Sequence, residues 1–331
     1  MDFAITPGNY RAYADAGIVA LLGWYNSTTG LWESTGWWNA ANALEAIIDY
    51  SLRTKTKTYQ GIISATLEKN KRGNFLNNYY DDESWWALTW IKAYDLTGDK
   101  RYLGMAENIF ADLQGGWDKR CGGGIWWSKR RDYKNAIANE LFLTVAVRLC
   151  QRTSKKSYLT WAQQEWTWFK KSGMINAQNL VNDGLNSACQ NNGGITWTYN
   201  QGVILGGLVD MYKIMGDRSF ISYAEAIADA AISTLVDTNG ILTEPCESLG
   251  GCGADGPQFK GIFMRNLSYL YETDSKERYK EFIIRNADSI WLNNRNNANQ
   301  FGLRWAGPPD SADASRQSAA IDALSAAIPF G

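Results

Sequence analysis

Two adjacent carboxylates, Asp81 and Asp82, open an amphipathic segment in the run Asn78-Tyr79-Tyr80-Asp81-Asp82-Glu83-Ser84-Trp85-Trp86. A reaction that uses two acids, one to attack or to activate water and one to protonate a leaving oxygen, is the hydrolysis of a glycosidic bond. A separation of about 5 Å favours retention through a covalent intermediate, whereas roughly 6.5–9.5 Å leaves room for water and inversion. Neighbouring residues start from Cα atoms about 3.8 Å apart, so this pair can supply the shorter distance. Two close acids also push their titrations apart, leaving one ionised and one protonated near neutral pH, and a helix start favours the ionised one. Acids at a helix start serve equally well as caps, so the pair alone does not decide between capping and catalysis.

The rest of the chain narrows the choice. There is no histidine among 331 residues, which removes imidazole bases, Ser-His-Asp and Cys-His nucleophiles and histidine metal sites. With 33 basic against 34 acidic residues and no Lys/Arg block, no nucleic acid or anionic membrane is expected as a partner. No cysteine spacing resembles a zinc site, and Gly122-Gly123-Gly124 and Gly250 to Gly253 lack both the strand context and the Gly-Lys-Ser/Thr ending of a phosphate cradle. Neither metal nor cofactor is expected. The 16 Trp, 17 Tyr and 11 Phe fall largely in Gly- and Asn-rich segments beside amides and acids, a composition that suits the apolar face and hydroxyl rim of a sugar. On that basis Trp38, Asn39, Trp126, Trp127, Asn135, Asp183, Tyr199, Asn200, Gln201, Asp255, Lys260 and Trp305 are candidate sugar contacts. Some have local alternatives. Asp183 and Asp255 precede glycines and suit turns, Asn200 suits a helix cap, and Lys260 lies near a helix start, where the dipole disfavours a cation and calls for a carboxylate partner or a ligand. Glu140 reads as a cap.

What positions these residues is a repeat. Thr97-Gly98-Asp99-Lys100-Arg101-Tyr102-Leu103, Thr153-Ser154-Lys155-Lys156-Ser157-Tyr158-Leu159, Met215-Gly216-Asp217-Arg218-Ser219-Phe220-Ile221 and Thr273-Asp274-Ser275-Lys276-Glu277-Arg278-Tyr279 are versions of one turn, with a weaker fifth at residues 55–59. Before the turns run apolar helices rich in small residues (40–52, 84–96, 139–151, 201–215, 259–272), and after them helices with a charged face (59–69, 102–113, 158–171, 220–235, 279–292). Residues 318–328 and 10–22 supply a sixth pair from the two chain ends. Six helical hairpins predict an all-α (α/α)6 barrel, a single domain over residues 1–331, with the long connections 25–39, 70–83, 114–138, 172–200, 237–258 and 293–317 on one face.

Cys246 and Cys252 bracket a short Gly-rich loop as a bridge would; Cys121 and Cys189 lie in loops and can pair, while Cys150 on an apolar run reads as a buried thiol. Two disulfides hint at an oxidising compartment. The sequence contains no signal peptide, transmembrane run or lipid-anchor tail, which fits a cytosolic protein or the mature part of a secreted one.

The segments Tyr80-Asp81-Asp82-Glu83-Ser84-Trp85-Trp86-Ala87-Leu88, Leu180-Val181-Asn182-Asp183-Gly184-Leu185, Thr196-Trp197-Thr198-Tyr199-Asn200-Gln201-Gly202-Val203 and Gln258-Phe259-Lys260-Gly261-Ile262-Phe263, in this order, resemble glycoside hydrolase family 76, the endo-α-1,6-mannanases and the fungal members related to cell-wall transglycosidases. The resemblance covers nearly the whole chain. It implies an (α/α)6 barrel, an α-mannan substrate, and a retaining mechanism with Asp81 as nucleophile and Asp82 as acid and base. It also implies a secreted or cell-surface protein whose leader has been removed. The protein is expected to act as a monomer. A transglycosidase acting on cell-wall or GPI-type mannan and a non-catalytic mannan-binding toroid are the alternatives.

Overall fold

The computed structural model describes residues 8–249 and 251–331. Residues 1–7 and Gly250, which belong to the expected domain and to the second glycine run, lie outside the described residues. The chain runs through α1 (Tyr10–Leu22), a two-residue antiparallel ribbon (Tyr25–Asn26 with Leu31–Trp32), α2 (Trp37–Thr54), α3 (Gln60–Asn70), α4 (Tyr80–Thr97), α5 (Lys100–Leu113), α6 (Ala136–Thr153) and α7 (Lys156–Lys171). It continues through α8 (Thr198–Met215), α9 (Ser219–Thr234), α10 (Phe259–Thr273), α11 (Glu277–Asn293) and α12 (Ala314–Ala327).

Even-numbered helices form the inner ring. Each touches its two even-numbered neighbours, and α12 returns to α2, which closes the ring; α1 packs on α12 and so completes the sixth hairpin. The physical reason lies in the burial pattern. In α12 every residue but Arg316 is buried, whereas α5 hides one stripe, Tyr102, Leu103, Met105, Ala106, Ile109, Phe110 and Leu113, and gives its other face to water. Small residues let the inner helices approach. A Cβ on Gly261 of α10 would lie 2.4 Å from the Ala319 Cα of α12. This is the (α/α)6 barrel expected from the repeat.

The repeated turn has a local cause. Four of the inner helices end on a left-handed residue, among them Gly98 (φ 71°) after α4 and Gly216 (φ 72°) after α8, a conformation glycine adopts without a Cβ penalty. The following aspartate restarts the chain as a cap: Asp99 accepts the Arg101 N–H at 2.9 Å and Asp217 the Ser219 N–H at 2.9 Å. Ser154 takes the same left-handed place after α6 without being glycine.

Five inner helices start three or four residues before the predicted positions, as at Tyr80 instead of Ser84. Their first turns carry polar side chains that interrupt the apolar period while the backbone is already helical. Disulfides join Cys121 to Cys189 and Cys246 to Cys252, and Cys150 is half-buried instead of enclosed. At the tight-turn end, paired ions close the ring: Arg148 on Asp210 at 2.8 Å, and Lys92 on Glu45 at 2.8 Å and Asp49 at 2.6 Å. Among the described residues no helix is long and apolar enough to cross a membrane.

Candidate active site

At the opposite end, α4 begins after Tyr79, whose backbone is extended (φ −127°, ψ 120°), and Asp81, Asp82 and Glu83 occupy its first turn. The three acids separate. Glu83 is buried away from the cleft; its Oε1 accepts the Asn77 N–H at 2.9 Å and pairs with Lys129 at 2.8 Å, and Lys129 also pairs with Asp112 at 3.0 Å. Asp81 and Asp82 border a cavity of about 510 Å³. Asp81 Oδ2 accepts the Trp127 indole N–H at 2.9 Å, and its Oδ1 is buried without a partner. Asp82 Oδ2 accepts the Asn77 side-chain amide at 2.6 Å.

Burial dominates the titration of both. It pushes Asp81 well above the usual carboxylate range, with the Asp82 charge adding to it and the Trp127 bond opposing. It pushes Asp82 up to about 6, against the Asn77 bond and with the Asp255 charge adding. The pair therefore keeps one proton through neutral pH. One acid ionised and one protonated is the division expected from the sequence, and the protonated one is Asp81, because there loss of solvent outweighs the helix dipole.

The walls are built from the neighbouring inner-helix starts. Trp38 opens α2, Asn135 caps α6 by accepting the Ala138 N–H at 3.3 Å, Tyr199 opens α8 and Phe259 opens α10. Their rings run on from one another: Trp38 lies 5.6 Å from Trp85, Trp85 6.4 Å from Tyr199, and Tyr199 stacks on Phe259 at 3.8 Å. Each wall acid is held by an indole. Asp255 accepts from Trp38 Nε1 at 2.8 Å, and Asp183 from Trp197 Nε1 at 3.1 Å and from the Tyr133 hydroxyl. Among the described residues, four aspartates and no Lys or Arg line the cavity.

The structure thus brings Asp81, Asp82, Trp38, Trp127, Asn135, Asp183, Tyr199 and Asp255 together around one cavity. The other candidates lie elsewhere. Gln201 is buried and clamps the Val181 backbone, accepting its N–H at 2.7 Å and donating to its carbonyl at 2.9 Å. Asn39 and Asn200 are fully buried in the first turns of α2 and α8. Trp126 turns its N–H to Asp118 at 2.7 Å and its face to Lys134 at 4.8 Å. Trp305, 2% exposed, is core and offers the cleft no face. Lys260, 1% exposed, bonds Glu247 at 2.6 Å and the Leu303 carbonyl at 2.7 Å over the Trp305 ring, so its partner is a carboxylate of the chain. No residue of the connection 294–313, all of it described, lines the cavity, so five connections or helix starts and not six build the cleft. Glu140 is fully buried within α6, outside the cap position that Asn135 fills.

Tyr79, Trp85, Tyr133 and Phe259 line the cavity without having been singled out. Trp85 had a signal, since a residue four after Asp81 shares its helix face. Tyr133, two residues before Asn135 in extended chain, had the period of two. Among the described residues no cluster of Cys, Asp and Glu could hold a metal ion.

A closed helical toroid with paired acids at a tryptophan-rich cleft defines a carbohydrate-active class of protein. The chain matches glycosyl hydrolase family 76 over residues 15–329 and belongs to that family. It is 27% identical over 258 residues to the mannan endo-1,6-alpha-mannosidase DCW1 of Candida albicans, an alignment covering 70% of this chain and 57% of that protein. The chain thus spans less than two thirds of the length of this relative. An inactive variant of the α-1,6-mannanase GH76A of Salegentibacter sp. HEL1_6, with two consecutive aspartates replaced by alanine and α-1,6-mannotetrose bound, superposes with a TM-score of 0.87 at 22% identity, over 98% of this chain and 100% of that one. Dfg5 of Chaetomium thermophilum in complex with glucosamine superposes with a TM-score of 0.84 at 18% identity, over 96% and 90% of the two chains. At these identities the superpositions establish the shared fold.

Proposed function

We propose that this protein cleaves the α-1,6-linked backbone of mannan with retention, Asp81 attacking the anomeric carbon and Asp82 serving as acid and base. The observation that carries the reading is the first turn of α4, where two adjacent carboxyls face one aromatic-walled cavity and share one proton near neutral pH. As Asp82 gives its proton to the glycosidic oxygen, that bond to the anomeric carbon breaks and the bond to Asp81 forms. Water then attacks the mannosyl ester, Asp82 taking the water proton and Asp81 leaving as carboxylate. Burial leaves the shared proton on Asp81 in the free protein, and attack needs Asp81 ionised, so the proton has to pass to Asp82 when substrate binds; the Trp127 indole N–H is placed to stabilise the charge then left on Asp81. The mannosidase relative and the inactive bacterial double-aspartate variant support both the substrate class and the pair. The two disulfides support a secreted or cell-surface setting.

Transfer to a second glycan is the other reading, and the acidic cleft favours it: four aspartates without a cation suit an acceptor carrying an ammonium group, and the Dfg5 relative binds glucosamine. Incubation with unbranched α-1,6-mannan, product sizing and proton NMR of the nascent anomer test the proposal. Internal cuts with the α-anomer first are expected; no product, or the β-anomer first, would sink it. Longer products on addition of an amino-sugar glycan would favour transfer.

A further inference from the structure

Asp82 does not stand alone on its helix turn. Asn77, in the connection between α3 and α4, makes three bonds that fix it against the acids. Its side-chain Nδ2 donates to Asp82 Oδ2 at 2.6 Å, its Oδ1 accepts the Tyr79 N–H at 2.8 Å, and its backbone N–H donates to Glu83 Oε1 at 2.9 Å. The bond to Tyr79 matters chemically, because a carbonyl oxygen committed to a backbone N–H leaves the amide only one way to point, with its NH2 toward Asp82. Glu83 is itself anchored by Lys129 at 2.8 Å, and that lysine by Asp112 at 3.0 Å. Two residues earlier, Phe75 is buried against Trp37, Trp86 and Trp90, at 5.7, 4.8 and 4.9 Å between ring centres, which pins the whole segment to the inner ring. Thus a loop residue behind the cleft's acid is held from three sides, and its side-chain amide donates to a single oxygen of a single aspartate.

We propose that Asn77 is the positioning residue of the acid/base: by occupying Asp82 Oδ2 it confines the transferable proton to Oδ1 and aims that oxygen at the leaving glycosidic oxygen. The inference rests on the hydrolytic reading of the same site. In the first step the Oδ1–H bond breaks, the leaving oxygen gains the proton, and the new carboxylate is stabilised by the amide already in place. In the second step Oδ1 takes the proton back from the attacking water. The amide bond favours the charged form, so it also holds down a carboxyl that burial and the charge of Asp255 push up. The other charged groups nearby, Glu83, Lys129 and Asp112, are paired with one another.

The test uses Asn77→Asp, which keeps the oxygen that accepts from Tyr79 and replaces the donor by an acceptor, with Asn77→Ala as a second variant. On α-1,6-mannotriose, kcat/KM should fall at least ~10-fold, a part of the ~10²–10⁴ that general acid catalysis supplies. On a dinitrophenyl α-mannoside, whose leaving group needs no proton, it should change less than ~3-fold, because kcat/KM reports only the first step. The alkaline limb, where Asp82 loses its proton, should move to higher pH in both variants. An equal fall on both substrates with an unmoved limb would reduce Asn77 to a structural residue. Carbon-13 NMR titration of the Asp82 carboxyl, assigned with Asp82→Asn, is independent of turnover. An upward shift in Asn77→Asp and Asn77→Ala supports the proposal, and an unchanged titration overturns it even if the wild-type protein cleaves no mannan.

Discussion

Replacing Asp82 by asparagine should stabilise the fold at neutral pH while abolishing turnover. The folded protein holds this carboxyl at about 6, whereas an unfolded chain has it near ~3.9. Two units at ~1.4 kcal/mol each give an upper figure of about 3 kcal/mol, which partial exposure to the cleft reduces to roughly 2 kcal/mol. The sign follows from proton counting. Between about pH 4 and pH 6 the folded state binds more protons than the unfolded one, so stability is lost as pH rises through that window. Asparagine carries no proton to lose and can still accept from Asn77. The variant and wild type should therefore be equally stable near pH 4, diverge up to about pH 6, and differ by roughly 2 kcal/mol at pH 8. Removal of the Asp82 charge also relieves Asp81, which acts in the same direction. Guanidinium unfolding followed by tryptophan fluorescence at a series of pH values measures the difference. Parallel curves from pH 4 to pH 8, or a less stable variant, would refute the claim that burial of this acid costs the fold free energy.

Three further outcomes follow from named contacts. Trp127→Phe keeps a ring 5.0 Å from Tyr79 but loses the donor to Asp81; a bond to a charged group is worth ~1.5–3 kcal/mol, so the acidic limb of kcat/KM should move up by roughly one to two pH units, and an unmoved limb would remove Trp127 from the mechanism. Lys134→Met withdraws a buried ammonium from Asp118 at 2.8 Å and from the carbonyls of Arg120, Gly123 and Gly124, and should cost ~3–5 kcal/mol with faster hydrogen exchange in the connection that carries Trp127. Ser154→Gly places glycine at the left-handed turn after α6 and should raise stability by ~1 kcal/mol in the same unfolding assay, without change in activity.

Much of the architecture was legible because it is local and repeated. The apolar period marks every helix, and the Thr-Gly-Asp turn works through bonds within a few residues, as where the Asp99 N–H donates to Thr97 Oγ1 at 3.2 Å. Helix starts were less legible, since Asp81, Asn39 and Tyr199 combine helical backbone with side chains that break the pattern.

The paired acids could be read from the chain for the same reason, as adjacency puts them on one turn. What surrounds them could not. Lys260 and Asp255 both belong to loop-rich sequence near α10, yet one is neutralised in the core by Glu247 and the other faces the cavity under Trp38. Trp126 and Trp127 are neighbours, and alternation of an extended chain sends one to Lys134 and the other to Asp81. Residue type set what each side chain could do. Which acids share a proton, and which oxygen is free to give it, was decided by burial and by partners brought from other connections, because both depend on solvent exclusion and on contacts between segments distant in the chain.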